Sequence, residues 1–397
     1  MSLTRLTQIT LLPLMCWSGS ACSRAPAEPA GPPTVYGDAL PDLAPPEKAR
    51  FDAGLAAFGH VFQPAEGLGP FFNENQCSAC HTFPASGGTG EQSVVRLSRF
   101  EPPDRCDLLT AVGGENVQRN TTPLLRAAGI ERRPEPVGTE RALVRVPFLF
   151  GLGLVEAIAD ETILQRADPD DRDSDGISGR PGRSADGRLG RFGRKAEHAT
   201  IASFAAGALF NEMGLTSSVH PAEPLLDGQP MPSQYDPAAD PEIIDEMLAA
   251  LTDFVRFLAP PPGQSADDPE TRSLIDRGRG LFDQLGCGGC HTPEMTTARV
   301  DVQALSRRTI RLYSDLLLHD MGPELAGFCG IGATPTEWRT EPLMGLGTRE
   351  RFLHDGRAYD LFAAIRTHGG EATQAWAAFD ALDRVTQEAL IQFLRSL

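Results

Sequence analysis

Lysine is almost missing from this chain. Among 36 basic residues only Lys48 and Lys195 are lysines, and 53 carboxylates bring the net charge to −17. Such an acidic balance excludes nucleic acid and an anionic membrane surface as expected partners. It suits a soluble protein that attracts a basic electron carrier. The apolar stretch of the leader, Ile9 to Trp17, is too short to span a bilayer. There is no repeat of fixed short period. Cysteine and histidine are scarce, eight of each in 397 residues. Where they cluster therefore carries information.

They cluster twice. Cys77-Ser78-Ala79-Cys80-His81 and Cys287-Gly288-Gly289-Cys290-His291 both read C-x-x-C-H. That is the attachment pattern of c-type haem: each Cys forms a thioether with a vinyl group, and the adjacent His reaches the iron. The competing reading is a Cys₄ zinc site, which would not need a His after each pair. Two covalent haem c groups are expected, with Cys77, Cys80, Cys287 and Cys290 as anchors and His81 and His291 as proximal iron ligands. Cys106 and Cys329 are left over: a disulfide, or two buried thiols.

The first 22 residues read as an export signal, with Arg5, an apolar core and small residues before Cys22. Gly19-Ser20-Ala21-Cys22 is similar to a lipoprotein cleavage site, which favours a lipid anchor at Cys22. Residues 23–46 are a Pro/Ala-rich tether. The expected place is the bacterial periplasm, anchored to the envelope through Cys22 alone, and the oxidising compartment agrees with covalent haem.

Periodicity predicts a mainly α chain with long irregular loops and a few short strands. Helices are expected over 47–61, 198–213, 240–258, 268–285 and 384–397, and β-like runs at Val94–Leu97 and Leu143–Val146. Pro260-Pro261-Pro262-Gly263 is the expected boundary between an N-terminal haem domain, 47–259, and a C-terminal cytochrome c domain, 264–397. The iron's other face needs His or Met. Candidates are His60, His198, His220, His319, His354, His368, Met213 and Met321. Asp171-Arg172-Asp173-Ser174-Asp175-Gly176-Ile177 matches the first half of an EF-hand loop, with three carboxylates and the Ile177 carbonyl as calcium ligands. No Glu stands at its twelfth position, so Asp186 or water would complete the shell.

Several stretches resemble the bacterial di-haem oxidoreductases of peroxidase type, also labelled thiol oxidoreductases, distant relatives of di-haem cytochrome c peroxidase and of MauG. They are Gly67–Asn73, Phe150–Ile158, Asp175–Arg180, Ser314–Gly322, Trp338–Thr340 and His354–Ala372. The resemblance implies two cytochrome c-like haem domains, a reactive N-terminal haem and a C-terminal haem that relays electrons. In the relatives the second haem's distal ligand lies fourteen residues after a His-Asp-Gly stretch, which here is His368, fourteen after His354. Met321 is the alternative. An acid–base carboxylate near the first haem is also implied, and Glu156 in its apolar run is the expected catalytic residue. His60 or Met213 could instead close that iron. Arg194 and Met344 stand where the relatives have Trp. The implied partners are an external donor, such as a small cytochrome or cupredoxin, and peroxide or another small oxidant. The competing functions are a non-catalytic electron-transfer cytochrome and a haem-bearing binding module.

Overall fold

The Pro45–Phe58 helix begins on two prolines, and the Glu47 carboxylate accepts the Ala44 N–H at 2.6 Å. It buries Phe51, Gly54, Ala57 and Phe58 against the Asp245–Phe257 helix. Gly54 sets that approach: a Cβ there would lie 2.2 Å from the Ala250 carbonyl. With Gly54 turned inward, Leu55 and Val61 face solvent. The partner helix starts at Asp245 rather than Asp240, because residues 241–244 are drawn out along the chain before it. Ile243 N–H donates to Thr216 O, and Ser217 bridges Ile243 in parallel.

These details come from a computed structural model that describes residues 35–136, 140–263 and 266–397. The leader, Cys22 and residues 23–34 of the tether lie outside the described residues. The rest of the expected tether is packed chain. Leu40 is buried, its N–H donates to Phe257 O, and the Tyr36 ring meets Phe150 edge-on at 5.3 Å. The apolar Tyr36 and Leu40 interrupt the Pro/Ala composition and find this site at the helix end. No helix among the described residues is long and apolar enough to cross a membrane.

Strand Ser93–Glu101 is the centre of a small antiparallel sheet. It pairs with Glu140–Arg145, Arg105–Asp107 and Asn116–Val117, and Val95 stands opposite Leu143. Alternation follows the pleat: Ala142 and Val144 are buried and Leu143 is exposed. Cys106 in this sheet is bonded to Cys329, with Cα atoms 5.8 Å apart across 223 residues of sequence. Of the two readings left open for these cysteines, the disulfide is the one formed.

In the C-terminal part, Asp268 caps the Pro269–Gln284 helix by accepting the Thr271 N–H at 2.7 Å. This helix delivers Cys287 and crosses the last helix, Arg384–Arg395, through Gly278. Phe282 and Phe393 meet there with centroids 5.4 Å apart. The described chain forms one compact unit. One core gathers Phe58, Phe150, Leu209 and Phe254 with Leu305, Leu316 and Met344 from beyond Pro260–Gly263. A second, of Phe282, Tyr313, Phe379, Leu390 and Phe393, belongs to the C-terminal part alone. Helix outweighs strand, as the hydrophobic periodicity predicts.

Candidate functional site

Each pentad sits on a short helical turn, Cys77–Cys80 and Cys287–Gly289, which puts its two thiols on one side. The turn after the first is closed by Gly88, whose backbone takes the histidine: His81 Nδ1 donates to Gly88 O at 2.8 Å. Around the second, residues 313–315 form a cradle. Ser314 N–H donates to Thr292 O and Asp315 N–H to Cys290 O, both at 2.9 Å. His291 Nδ1 donates to Tyr313 O, also at 2.9 Å. His368 ends the Leu361–Thr367 helix, and its Nδ1 donates to Ala364 O at 2.7 Å. In all three rings the Nδ1 proton is committed to a backbone carbonyl. The neutral ring therefore carries its lone pair on Nε2, the form in which imidazole ligates iron. Burial pushes His81 and His291 down to about 4 and His368 downward, so all three are neutral near pH 7.

Two cavities receive these groups. The larger, about 1290 Å³, is lined by Cys287, Cys290, His291 and His368 together, with Met321, His354, Trp338 and Trp376 also on its wall. The smaller, about 230 Å³, is lined by Cys77, Cys80 and His81, with His198 and Met213. The four pentad thiols are unbonded, whereas Cys106 and Cys329 are paired. Free thiol pairs, each beside a lone-pair imidazole and a cavity, fit haem c. A zinc cage finds no support: the pentads line different cavities, and the ligand groups that converge among the described residues are carboxylates.

The remaining candidates separate. His60 is half-exposed beside Glu66 and Phe62, away from the cavity wall. His220 stacks on Phe210. His354 stacks on Trp338, with centroids 3.7 Å apart, and Lys195 Nζ lies over the same indole at 3.5 Å. His319 is clamped between two carboxylates, Nε2 to Asp315 at 2.9 Å and Nδ1 to Glu371 at 2.7 Å. Burial alone would lower its pKa. Hydrogen bonds to Asp315, Cys290 and Glu371 outweigh that and raise it to about 12. His319 is thus a buried imidazolium with no free lone pair, placed 3.6 Å from Cys290 Sγ. Glu371 extends the network by accepting from the Ser178 hydroxyl and N–H.

Glu156 is engaged away from the first cavity. It accepts the N–H of Ile201, at the start of the Ile201–Met213 helix, at 2.8 Å and pairs with Arg256 at 2.9 Å. It is not among the residues lining either cavity. The carboxylates on the first cavity's wall include Glu197, bound to Arg96, and Glu212, which accepts from Asn73 and Asn116. Burial raises the Glu212 pKa against those two hydrogen bonds. Nothing in the local sequence marks Glu212, since its partners come from 139 and 96 residues away.

Asp171, Asp173 and Asp175 bring ligand oxygens within 4.8 Å of one another. The loop is shaped by its own side chains, with Gly176 N–H donating to Asp171 and Ile177 N–H to Asp175. Asp186 is not part of that group, being held by Ser184 and Arg188. Ile177 lies over Gly289, where a Cβ would come 2.5 Å from its Cδ1, so the loop abuts the second pentad.

One wall is common to both cavities. Arg145, Arg194, Arg339, Arg349 and Glu341 line each of them. Arg194 and Met344, at the two positions where Trp is expected, take different places: Arg194 in this wall, Met344 in the smaller cavity and the main core.

No curated protein matches the chain. Among solved structures, hydrazine synthase of Kuenenia stuttgartiensis, pressurised with xenon, is similar at 11% identity and a TM-score of 0.40, over 94% of this chain and 99% of that one. A MauG-like protein associated with microbial copper homeostasis is similar at 14% identity and a TM-score of 0.32, over 60% of this chain and 89% of that one. Residues 141–397 match the family described as "Di-haem oxidoreductase, putative peroxidase", a stretch that contains the second pentad, His368 and the shared wall. The chain belongs to that di-haem oxidoreductase family.

Proposed function

We propose that this protein is an exported di-haem c-type cytochrome that acts as a peroxidase-like oxidoreductase, with two cytochrome c-like haem regions. Cys77 and Cys80 hold one haem, with His81 as its proximal ligand. Cys287 and Cys290 would hold the other, with His291 and His368 to ligate its iron. The observation that carries this reading is the pairing in each cavity of two free thiols with a histidine whose Nδ1 is tied to backbone. Bound haem would supply one-electron exchange and, where the sixth position is open, the reduction of peroxide.

The chain's own work is to place and protect. His368 shares its cavity with His291, which supports a closed C-terminal site suited to relaying electrons. Its helix C-terminal position and the bond to Ala364 O hold the ring in one orientation. At the N-terminal site, Glu212 is the carboxylate placed to keep and deliver a proton: burial favours its neutral form and two amides fix its direction. Glu156 instead positions the Ile201–Met213 helix that carries Glu212. Met213 on the same wall favours a second reading, in which both irons are closed and the protein only transfers electrons.

The finer parts of the reading follow. The leader directs the chain to the periplasm, with a lipid on Cys22. The donor is a small cytochrome or cupredoxin drawn by the acidic surface. Asp171, Asp173 and Asp175, with the Ile177 carbonyl, take calcium. Calcium would raise the melting temperature of the wild type and not of Asp173→Asn, and equal shifts would remove the site.

The deciding experiment is EPR of the purified holoprotein, diferric and half-reduced, before and after one equivalent of hydrogen peroxide. A high-spin signal that peroxide removes, weakened in its response by Glu212→Gln more than by Glu156→Gln, supports the enzyme. Two low-spin signals indifferent to peroxide in both redox states refute it in favour of electron transfer alone.

A further inference from the structure

The wall between the cavities is charged in a way the protein itself does not balance. Arg194 Nη1 pairs with Glu341 at 2.8 Å, Arg339 Nη2 at 3.0 Å and Arg349 Nη1 at 3.6 Å. Arg194 also donates to the Arg145 carbonyl at 3.1 Å, and Arg145 sends its guanidinium to the carbonyls of Gly90 and Glu91. Three guanidiniums thus gather round one carboxylate, and Arg145 adjoins them through its backbone carbonyl. Glu197, which lines the smaller cavity, is taken by Arg96. The Nε atoms of Arg194 and Arg349 are buried without a hydrogen-bond partner.

Buried charge of one sign is expensive unless anions meet it. Burial works against the charge of Glu341, yet Arg194, Arg339 and Arg349 hold its pKa near 2. Burial lowers Arg339 and Arg349, and the neighbouring Arg194 lowers them further. The cluster therefore asks for more negative charge, in a form that suits planar guanidinium forks, and carboxylates are that form. The same four side chains line both cavities, so what they bind can arrive from either side.

We propose that Arg194, Arg339 and Arg349, gathered round Glu341, with Arg145 beside them, are a single receptor for the propionate carboxylates of both haems, and that this shared wall sets the two reduction potentials together. The inference rests on the two-haem reading above. Glu341 is the internal competitor: it spaces the guanidiniums and takes up part of their charge. In this chain the two sites are then coupled by charge through the wall they share.

The test uses holoprotein from a host that attaches haem c. Pyridine haemochrome and intact mass count the covalent haems, and spectroelectrochemistry follows each midpoint potential. The oxidised iron carries one more positive charge than the reduced, so losing a nearby cation favours it and Arg194→Gln lowers both potentials. Glu341→Gln raises both. Resonance Raman bands of propionate bending shift in Arg194→Gln, and Arg194→Lys, which keeps the charge, restores the potentials but not those bands. Two covalent haems with either potential unmoved by both substitutions, or unchanged propionate bands, overturn the receptor while leaving the two-haem reading intact. A chain with no covalent haem overturns that reading and the receptor with it. If Arg194→Gln does not fold, Glu341→Gln and Arg194→Lys decide by the same signs.

Discussion

Two glycines of one helix should respond to the same substitution with opposite signs. Gly278 and Gly280 both lie in Pro269–Gln284, which leads to the second pentad. Alanine is the better helix former at each by about 1 kcal/mol. At Gly280 a Cβ meets nothing within 4 Å, so Gly280→Ala should stabilise by roughly 0.5–1 kcal/mol. At Gly278 the new Cβ would fall 2.1 Å from Ala389 O and 2.6 Å from Phe393 Cβ, and both atoms belong to the facing Arg384–Arg395 helix. To reach ordinary contact the helices must part by about 1 Å, which forfeits a quarter to a half of each contact across them. Phe282, Leu390, Phe393 and Leu394 are buried in this crossing. At about 1.5–3 kcal/mol per buried side chain, a quarter lost from four is roughly 1.5–3 kcal/mol. That exceeds the propensity gain, so Gly278→Ala should lose about 0.5–2 kcal/mol net. Phe282, Leu390 and Leu394 also line the larger cavity, so the Soret band of the C-terminal haem should broaden with the loss. Denaturant melts of the two holoprotein variants, followed by far-UV circular dichroism and Soret absorbance, measure this. Midpoints that move in the same direction for both would refute the reasoning.

Three further outcomes follow from the same structure. Replacing Cys106 and Cys329 by Ser removes a cross-link across 223 residues and should cost about 5 kcal/mol by loop-closure entropy, read as a fall in the urea midpoint that reduction of the wild type reproduces. His319→Gln should cost roughly 3–5 kcal/mol, because it leaves the Asp315 and Glu371 carboxylates buried without their imidazolium; a loss under 1 kcal/mol in the same melt would contradict the clamp. Burial, with Asp236, Glu242 and Asp240 nearby, raises Glu223 from 4.5 to about 10. Its folded pKa lies above its unfolded one, so its contribution is whole below about pH 4.5 and is lost as pH rises toward 10. Melting temperature should therefore fall from pH 5 to pH 9, at up to about 1.4 kcal/mol per pH unit for this proton. Glu223→Gln should flatten that slope, and an unchanged slope would show that the proton sits elsewhere.

The parts of the site that could be read in advance are those where chemistry is local. C-x-x-C-H is a contiguous instruction, and so is Asp268-Pro269 as a helix start. The strands at Val94–Leu97 and Leu143–Val146 are legible as short β-branched runs, although their pairing with each other is not. Local reading failed where a distant partner decides. Asp240-Pro241 looks like a helix start, but Thr216 and Ser217 hold the following residues extended and delay the helix to Asp245. Glu156 looks like a carboxylate in an apolar pocket, but Arg256, a hundred residues on, claims it. His319 sits in a legible stretch, yet only the arrival of Glu371 turns a candidate ligand into an imidazolium.

The interior shows what arginine does that lysine could not. In sequence, an Arg-rich and Lys-poor chain reads as a choice about surface charge. In the fold, most arginines are exposed, but a few are inside. Arg133 and Arg191 are buried, and Arg96, Arg339 and Arg349 are largely so. Arg96 shows why Lys would not serve. Its guanidinium lies 4.2 Å from the Phe328 ring centroid and pairs with Glu115 on one side and Glu197 on the other. A planar fork can stack and bind two carboxylates together; an ammonium is a single point that is costlier to dehydrate. The buried lysine, Lys195, fits the same logic from the other side. Its Nζ is spent on the carbonyls of Thr334, Pro335 and Glu337 beneath Trp338, and burial drives its pKa well down. An interior built on guanidiniums keeps its positive charge at every ordinary pH. Arg96→Lys should therefore keep the formal charge and still destabilise, by about 1–3 kcal/mol, as one of the two carboxylates loses its partner. A thermal melt indistinguishable from wild type would mean that charge alone, and not the fork, is what the interior requires.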